Sequence, residues 1–403
     1  MKGYIPMRKL RILYHHRTQG MGGEGVHIRE VVMALRELGC EVQMQEAPGV
    51  DALSPDKKQS QEKPVFGLHL IVMRLFKFLS LRAPQLLFEL AELSYNAWVY
   101  FPLSKKLKNN KQDIYYERYA FFGFIGTFLA NRFGVPTVLE VNEVAGIERA
   151  RAQSMSVVAR YVEKKIFQRA EAIVVVSSFL KKCLVKRGVP EKKIYVIPNA
   201  VRKDCLENGK SSGKDIRKKL GLDEYIVIGF VGQIVRWDRI DLLIKDVASL
   251  RSVRLLVVGP CRFMAELQCI VEDLSMQEIV IFTGAVDRAR VNAYIDAMDI
   301  CVLPHSNSFG SPIAMFEYMA MRKPVLAVNV EPVTDVVIDG VNGCVFSKGN
   351  REEFRNKLRC LVEDKDLRER IGDSGFNLVR KSHTWEKNAE RLLHIFHRIK
   401  SRS

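Results

Sequence analysis

The chain predicts an α/β protein with two doubly wound parallel-sheet domains, and three observations carry that prediction. Short apolar runs alternate with segments of helical period along nearly its whole length, the pattern of successive βα units joined by right-handed crossovers. At 403 residues it exceeds what one compact core holds. A polar stretch, Lys203 to Lys219, separates two such alternations and marks the boundary between them.

In chain order, Leu10–Tyr14 reads as an apolar strand that runs into Gly20-Met21-Gly22-Gly23-Glu24-Gly25. Val26–Leu38 has helical periodicity and stops at Gly39, and Glu41–Met44 alternates as a second strand. A glycine loop between the first strand and the first helix falls at the C-terminal edge of a parallel sheet, where open α/β folds bind ligands. Tight turns use glycine for backbone reasons as well, so the loop alone decides little. Asp51 to Pro64 is polar and lysine-rich, a loop. Phe66–Leu81 is apolar, with Arg74, Lys77 and Arg82 on one side of a helical wheel. Leu93–Leu103 continues this with Tyr95, Trp98, Tyr100 and Phe101, followed by Lys105, Lys106, Lys108 and Lys111. Two readings stand: helices that lie on an anionic membrane surface, or core helices with solvated lysines. Nucleic acid is a third, unsupported by any binding motif.

Strands are then expected at Asp113–Tyr116, at Pro136–Val141 ending on Asn142-Glu143, at Ala172–Val176 and at Ile194–Ile197, with helices over Ala150–Gln168 and Ser178–Lys186. The second half opens on the apolar run Ile226–Gly232, a basic loop with Arg236, Trp237 and Arg239, and a helix from Asp241. Further strands are expected at Leu255–Pro260, Ile279–Phe282, Ile300–Leu303 and Pro324–Val328. Between the last two, Phe309-Gly310-Ser311-Pro312 breaks the chain and Ala314–Met321 are good helix formers. A helix that starts after such a loop points free N–H groups and the positive end of its dipole outward, which suits a phosphate or diphosphate. Glu317 lies in its first turns. A carboxylate there is poorly suited to phosphate, but it can accept hydrogen bonds from vicinal hydroxyls such as those of a ribose. The competing reading is an ordinary buried helix start with a surface charge.

Composition is globular, 47% hydrophobic and 27% charged. The net charge of +17, from 63 Lys and Arg against 46 Asp and Glu, implies attraction to something anionic: nucleic acid, a phospholipid surface or a phosphorylated ligand. The eight cysteines show neither a C-x-x-C pair nor zinc spacing, as in a reducing, cytosolic setting. The N-terminus lacks a secretory apolar region, and nothing approaches the roughly 20 uninterrupted apolar residues of a membrane span. A cytoplasmic protein is expected, soluble or peripheral on the cytoplasmic face of the membrane.

The motifs in order resemble a family-4 retaining glycosyltransferase of the GT-B architecture, of the bacterial surface-polysaccharide type, and the likeness covers nearly the whole chain. It rests on Gly22-Gly23 with His27, Val174-Val175-Val176-Ser177, Val196-Ile197-Pro198-Asn199, Phe230-Val231-Gly232, Val257-Val258-Gly259, Phe282-Thr283-Gly284, Phe309-Gly310-Ser311-Pro312, Glu317-Tyr318-Met319-Ala320 and Lys323-Pro324-Val325. The resemblance implies two Rossmann-like domains facing each other across a cleft: 1–202 on the acceptor side, 203–376 binding the nucleotide sugar, and 377–403 as a helix crossing back to the first. It implies that Glu317 binds the donor ribose, that Phe309, Gly310, Ser311, Pro312 and Ile313 surround the diphosphate, and that Gly23 and Gly232 face the donor. Asn142 stands where many members carry a histidine that touches the sugar, and Glu143 and Glu148 are candidate acceptor contacts. Three positions depart from the pattern. Asn307 replaces the first glutamate of the motif, Gln233 and Asp238 stand where an Arg and a Lys hold the diphosphate, and Ala314 replaces a lysine. A one-position shift of the loop would turn Asp238 outward and bring Arg239, and secondarily Arg236, to the diphosphate; both are otherwise solvated loop residues.

The function implied is transfer of a sugar from a nucleotide-diphosphate donor to a glycan or lipid-linked acceptor, with retention and without a metal or other cofactor. Helix-end N–H groups and cations would stabilise the leaving diphosphate. Two alternatives remain: a sugar-nucleotide epimerase on the same fold, and a catalytically weak homologue serving as a binding or scaffold subunit, for which Gln233, Asp238 and Ala314 speak.

Overall fold

The computed structural model describes residues 9–18, 20, 22–47, 50–53, 85–109, 111–147, 153–207 and 213–401. It divides into two compact units, Met1–Ile197 together with Asn388–Ser403, and Pro198–Lys387.

The first unit is built on six parallel strands: β1 (Arg11–His15), β2 (Glu41–Gln45), β3 (Ile114–Arg118), β4 (Thr137–Val141), β5 (Ala172–Val175) and β6 (Ile194–Val196), in the order β2-β1-β3-β4-β5-β6. The helices Gly22–Glu37, Gln85–Asn109, Ile125–Arg132, Ser156–Arg169 and Ser178–Lys186 fill the crossovers. Every residue of β3 and β4 is buried, as in a sheet covered on both faces, which is why these strands read as apolar runs rather than as alternations. The charged exceptions, Glu117, Arg118 and Glu140, lie at or beside the C-terminal strand ends.

Helix Gln85–Asn109 runs unbroken through Pro102 and is longer than the Leu93–Leu103 segment expected from hydropathy. It buries Glu89, Glu92, Tyr95, Asn96, Val99, Leu103 and Leu107, a stripe with the spacing of a helix face. The expected basic helix Phe66–Leu81 lies outside the described residues.

The second unit repeats the plan with β7 (Ile226–Val231), β8 (Val253–Val258), β9 (Val280–Gly284), β10 (Ile300–Leu303), β11 (Val325–Val328) and β12 (Cys344–Phe346), ordered β12-β11-β10-β7-β8-β9. The order reverses between β7 and β10, so the loops leaving these two strands diverge and open a crevice at the carboxyl ends. The corresponding point in the first unit lies between β1 and β3.

The divisions fall at 197/198 and 387/388, not at 203 and 377. The physical reason is local pairing. Val201 forms a parallel bridge with Thr384, its N–H donating to the His383 carbonyl at 3.0 Å. Gly372, in helix Lys365–Ser382, lies so close to the Arg322 carbonyl that a Cβ would meet its oxygen at 2.1 Å. The last helix, Trp385–Lys400, joins the first unit from Asn388 onward, where Phe396 meets Tyr116 edge-on at 5.4 Å and Lys400 Nζ lies 2.8 Å from Asp113.

Candidate functional site

In the second unit the loop after β10 is shaped by its own side chains. Asn307 Oδ1 accepts from the N–H groups of Phe309 at 3.0 Å and Gly310 at 2.5 Å, and a Cβ at Gly310 would press on that amide at 3.1 Å. Asn307 therefore folds the loop through a local turn. Ser311 is buried, its hydroxyl accepting from the Asn199 N–H at 3.1 Å and its carbonyl from Asn199 Nδ2 at 2.6 Å. Pro312 then begins helix Ile313–Ala320, whose start has no side-chain cap. Its first N–H groups and dipole are thus left to whatever lies beyond them.

Glu317 is only 4% exposed in this helix, among Met315, Phe316, Tyr318, Met319 and Ala320, all buried. A carboxylate so placed needs a charged partner; Arg288 Nη2 donates to its Oε1. Tyr318 ties the helix to the end of β7, its hydroxyl accepting from Val231 N–H at 2.7 Å and donating to Val231 O at 3.3 Å. Gly232 follows directly, its N–H donating to the Val258 carbonyl at 3.0 Å. Gly259 packs over it with φ +133°, and a Cβ there would stand 1.8 Å from Gly232 O, so only glycine fits. The loops after β7, β8 and β10 are thereby locked together around Glu317, Gly232 and the helix start.

The loop beyond Gly232 differs from expectation. Gln233 is exposed. Asp238 is not turned outward: its Oδ2 accepts from the Val235 N–H at 2.9 Å, and burial pushes its carboxyl up to about 6 against that hydrogen bond. The reason is local, since the turn Arg236–Asp238 needs its first N–H capped and Asp238 is placed to do it. Arg236 pairs with Glu266 through two bonds, at 2.6 and 2.5 Å, and lies over the Phe263 ring. Arg239, at φ 56°, pairs with Asp241 at 3.1 Å. Both arginines are exposed and neutralised by neighbouring acids, so the structure does not bring them to Glu317.

In the first unit the strand ends gather a buried polar network centred on Glu140, which is 1% exposed. Its Oε1 faces Arg118, lies 3.0 Å from His27 Nε2 and accepts from Asn142 Nδ2 at 2.8 Å. Its Oε2 accepts from Tyr116 at 2.9 Å and Tyr14 at 3.3 Å. Burial alone would raise this carboxyl, but His27, Arg118 and Asn142 outweigh it and hold it well below the usual carboxylate range. Beside it, His15 Nδ1 lies 2.6 Å from Tyr115 Oη and 3.2 Å from Glu117, while Nε2 lies 3.2 Å from Tyr95 Oη. Arg17 pairs with Glu92 at 2.9 Å. Asn142 and the half-buried Glu143 sit at this edge, and Gly23 is exposed in the first turn of helix Gly22–Glu37. Glu148 lies outside the described residues.

Sequence reading passed over Glu140, Arg118 and Arg288. The signal for the first two was a charge inside the apolar runs of β3 and β4, where a buried charge demands a partner.

Two family models match, one on each half: Glycosyltransferase Family 4 over residues 21–204 and Glycosyl transferases group 1 over residues 212–378. Among curated relatives, an uncharacterized glycosyltransferase of Methanocaldococcus jannaschii is 25% identical over 301 residues, 71% of this chain and 75% of its own length. The capsular polysaccharide biosynthesis glycosyltransferase CapM of Staphylococcus aureus is 27% identical over 285 residues, 66% of this chain and 72% of its own. Among solved structures, Anabaena HepE in complex with UDP superposes with a TM-score of 0.74 at 16% identity, covering 96% of this chain and 100% of that one; this likeness shows the fold.

Proposed function

We propose that this chain, which belongs to the GT-B glycosyltransferases that join a family-4 half to a group-1 half, transfers a sugar from a nucleotide-diphosphate donor to a glycan or lipid-linked polysaccharide precursor with retention of configuration. The observation that carries the donor assignment is Glu317, a buried carboxylate beside an uncapped helix start at the switch point of the second sheet. The carboxylate takes ribose hydroxyls, and the helix start meets the diphosphate through N–H groups and dipole. HepE, similar in fold, was crystallised with UDP, and CapM acts in capsular polysaccharide biosynthesis; both support the reading.

The acceptor hydroxyl attacks C1 from the leaving-group face as the C1–O bond to the diphosphate breaks. A diphosphate oxygen takes the hydroxyl proton, so no side chain need act as base and no metal is called for. On the acceptor side Asn142 is the residue nominated to touch the sugar. Its Nδ2 donates to Glu140, and its amide oxygen takes no hydrogen bond from the described residues, which leaves that oxygen as the acceptor offered to the sugar.

We assign the acceptor's setting to an anionic membrane surface. Among the described residues no helix is long and apolar enough to cross a membrane. Helix Gln85–Asn109 nevertheless exposes Leu86, Leu87, Leu90 and Phe101, the last at 75%, with Lys105 and Lys108 on its exposed surface toward the C-terminal end. Lys106 turns inward, donating to the Met44 carbonyl at 2.7 Å, and drops out of that surface.

The test is a donor panel of UDP-, GDP- and ADP-sugars screened by thermal shift and then by turnover with and without EDTA, because a ligand that binds only the folded state raises apparent stability. Stabilisation by one donor class, abolished in Glu317→Gln, supports the assignment. A protein stabilised by none of them, or a Glu317→Gln variant stabilised as well as the parent, overturns it.

A further inference from the structure

We infer that Arg288 is the positioning residue of the donor site: it holds the Glu317 carboxylate in one rotation, with one oxygen occupied and the other left for a sugar hydroxyl. This rests on the reading of Glu317 as the ribose-binding carboxylate.

Three observations carry it. Glu317 is 4% exposed in a helix whose residues 315–320 are all buried, so water solvates it poorly and a cation is needed beside it. The cation supplied is Arg288, whose side chain is 52% exposed, so the pair sits where a buried helix face reaches the surface. Only Oε1 receives the guanidinium; Oε2 takes no hydrogen bond from the described residues. A carboxylate clamped at one oxygen cannot spin to satisfy itself elsewhere, and its second oxygen is presented as an acceptor.

Both partners are anchored independently of each other. Arg288 opens the turn Arg288–Arg290, whose backbone is held by Asp287 Oδ1 accepting from the Ala289 N–H at 3.0 Å. Glu317 rides on a helix tied to β7 through the Tyr318 hydroxyl. The fold therefore sets the spacing of the two backbones, and the guanidinium reaches Glu317 from a fixed origin. An arginine suits this role better than a lysine, because its planar fork fixes direction as well as charge.

The experiment compares the ribo, 2′-deoxy and 3′-deoxy forms of UDP, GDP and ADP by calorimetry on the parent and on Arg288→Ala, Arg288→Lys and Glu317→Gln. The parent should prefer one ribo form over its deoxy forms by about tenfold or more, the effect of a hydrogen bond to a charged group. Glu317→Gln should lose that preference. Arg288→Ala should lose it too, while its affinity for the deoxy form stays within about threefold of the parent; Arg288→Lys should fall between, and serves alone if the alanine variant does not fold. A purely structural arginine would weaken ribo and deoxy forms equally and leave their ratio unchanged, and that result overturns the inference. The underlying reading fails differently: the parent would bind none of the nucleotides, or Glu317→Gln would keep the full preference, and the inference would then fall with it.

Discussion

Replacing Glu140 with glutamine keeps the side chain's shape and removes its charge at the hub of the first unit's polar core. The carboxylate faces Arg118, itself 8% exposed, and His27 at 3.0 Å, and takes hydrogen bonds from Asn142, Tyr116 and Tyr14. Glutamine offers one acceptor oxygen and one N–H₂ donor where five donor groups converge, so one of its two ends must face groups that also donate. Arg118 is left as a buried cation without its counter-ion, and breaking a buried pair from one side costs about 3–5 kcal/mol. A two-unit chain need not unfold in one step. The assay is therefore native-state hydrogen exchange at the amides of β1, β3 and β4, which reads the first unit whatever the second does. A loss of about 3 kcal/mol or more in their opening free energy is expected, with β7 to β11 unaffected. Because the folded carboxyl is held below its ordinary value, the parent's advantage is present above about pH 4.3, the unfolded value, and is lost as pH falls through the lower folded one. A Glu140→Gln variant whose protection falls by less than about 1 kcal/mol, the scale of an ordinary hydrogen bond, or whose deficit persists unchanged at pH 3, refutes the reasoning.

Asp238→Asn should stabilise the second unit at pH 8. Burial raises the Asp238 carboxyl to about 6, so its ionisation weakens the folded state as pH rises from the unfolded value of about 3.9 to 6. The gain should be at most about 3 kcal/mol and should vanish near pH 4; a gain independent of pH contradicts the assignment. Arg236→Ala and Arg239→Ala should each keep turnover within about fivefold of the parent, since exposed ion pairs contribute about 1 kcal/mol or less; a hundredfold loss would instead put one of them on the diphosphate. Lys105→Gln with Lys108→Gln should weaken binding to anionic vesicles by about thirtyfold, at about 1 kcal/mol per cation near the surface. Partition that ignores both the substitutions and the salt concentration contradicts lipid docking.

What was legible in the sequence was the part of the fold written in local pattern. The runs Ile226–Val231 and Val253–Val258 are apolar because both faces are covered, and the break at 309–312 before Ile313–Ala320 announces a loop and a helix start without knowledge of any contact. Partners were not legible. Arg288 lies 29 residues before Glu317, and Glu140 is served from positions 22 and 126 residues away. Asp238 was misplaced for the opposite reason: it bonds the N–H three residues before it, a local cap that the family pattern had obscured. Asn307 likewise serves the turn it stands in. The final helix was implied by the family resemblance, but the point at which it changes unit, Asn388, is set by packing alone.

That division of the last helix has a consequence for biosynthesis. The first unit is assembled from both ends of the chain, and the second is one uninterrupted stretch, 198–387. A ribosome working from the N-terminus therefore releases every residue of the second unit before the first has Phe396 to set against Tyr116 or Lys400 to pair with Asp113. Domains form as units once their residues are available, so the N-terminal unit, although made first, is the last to be finished. Until its closing helix arrives, the Tyr116 face of its sheet lacks the Phe396 ring that covers it in the completed protein.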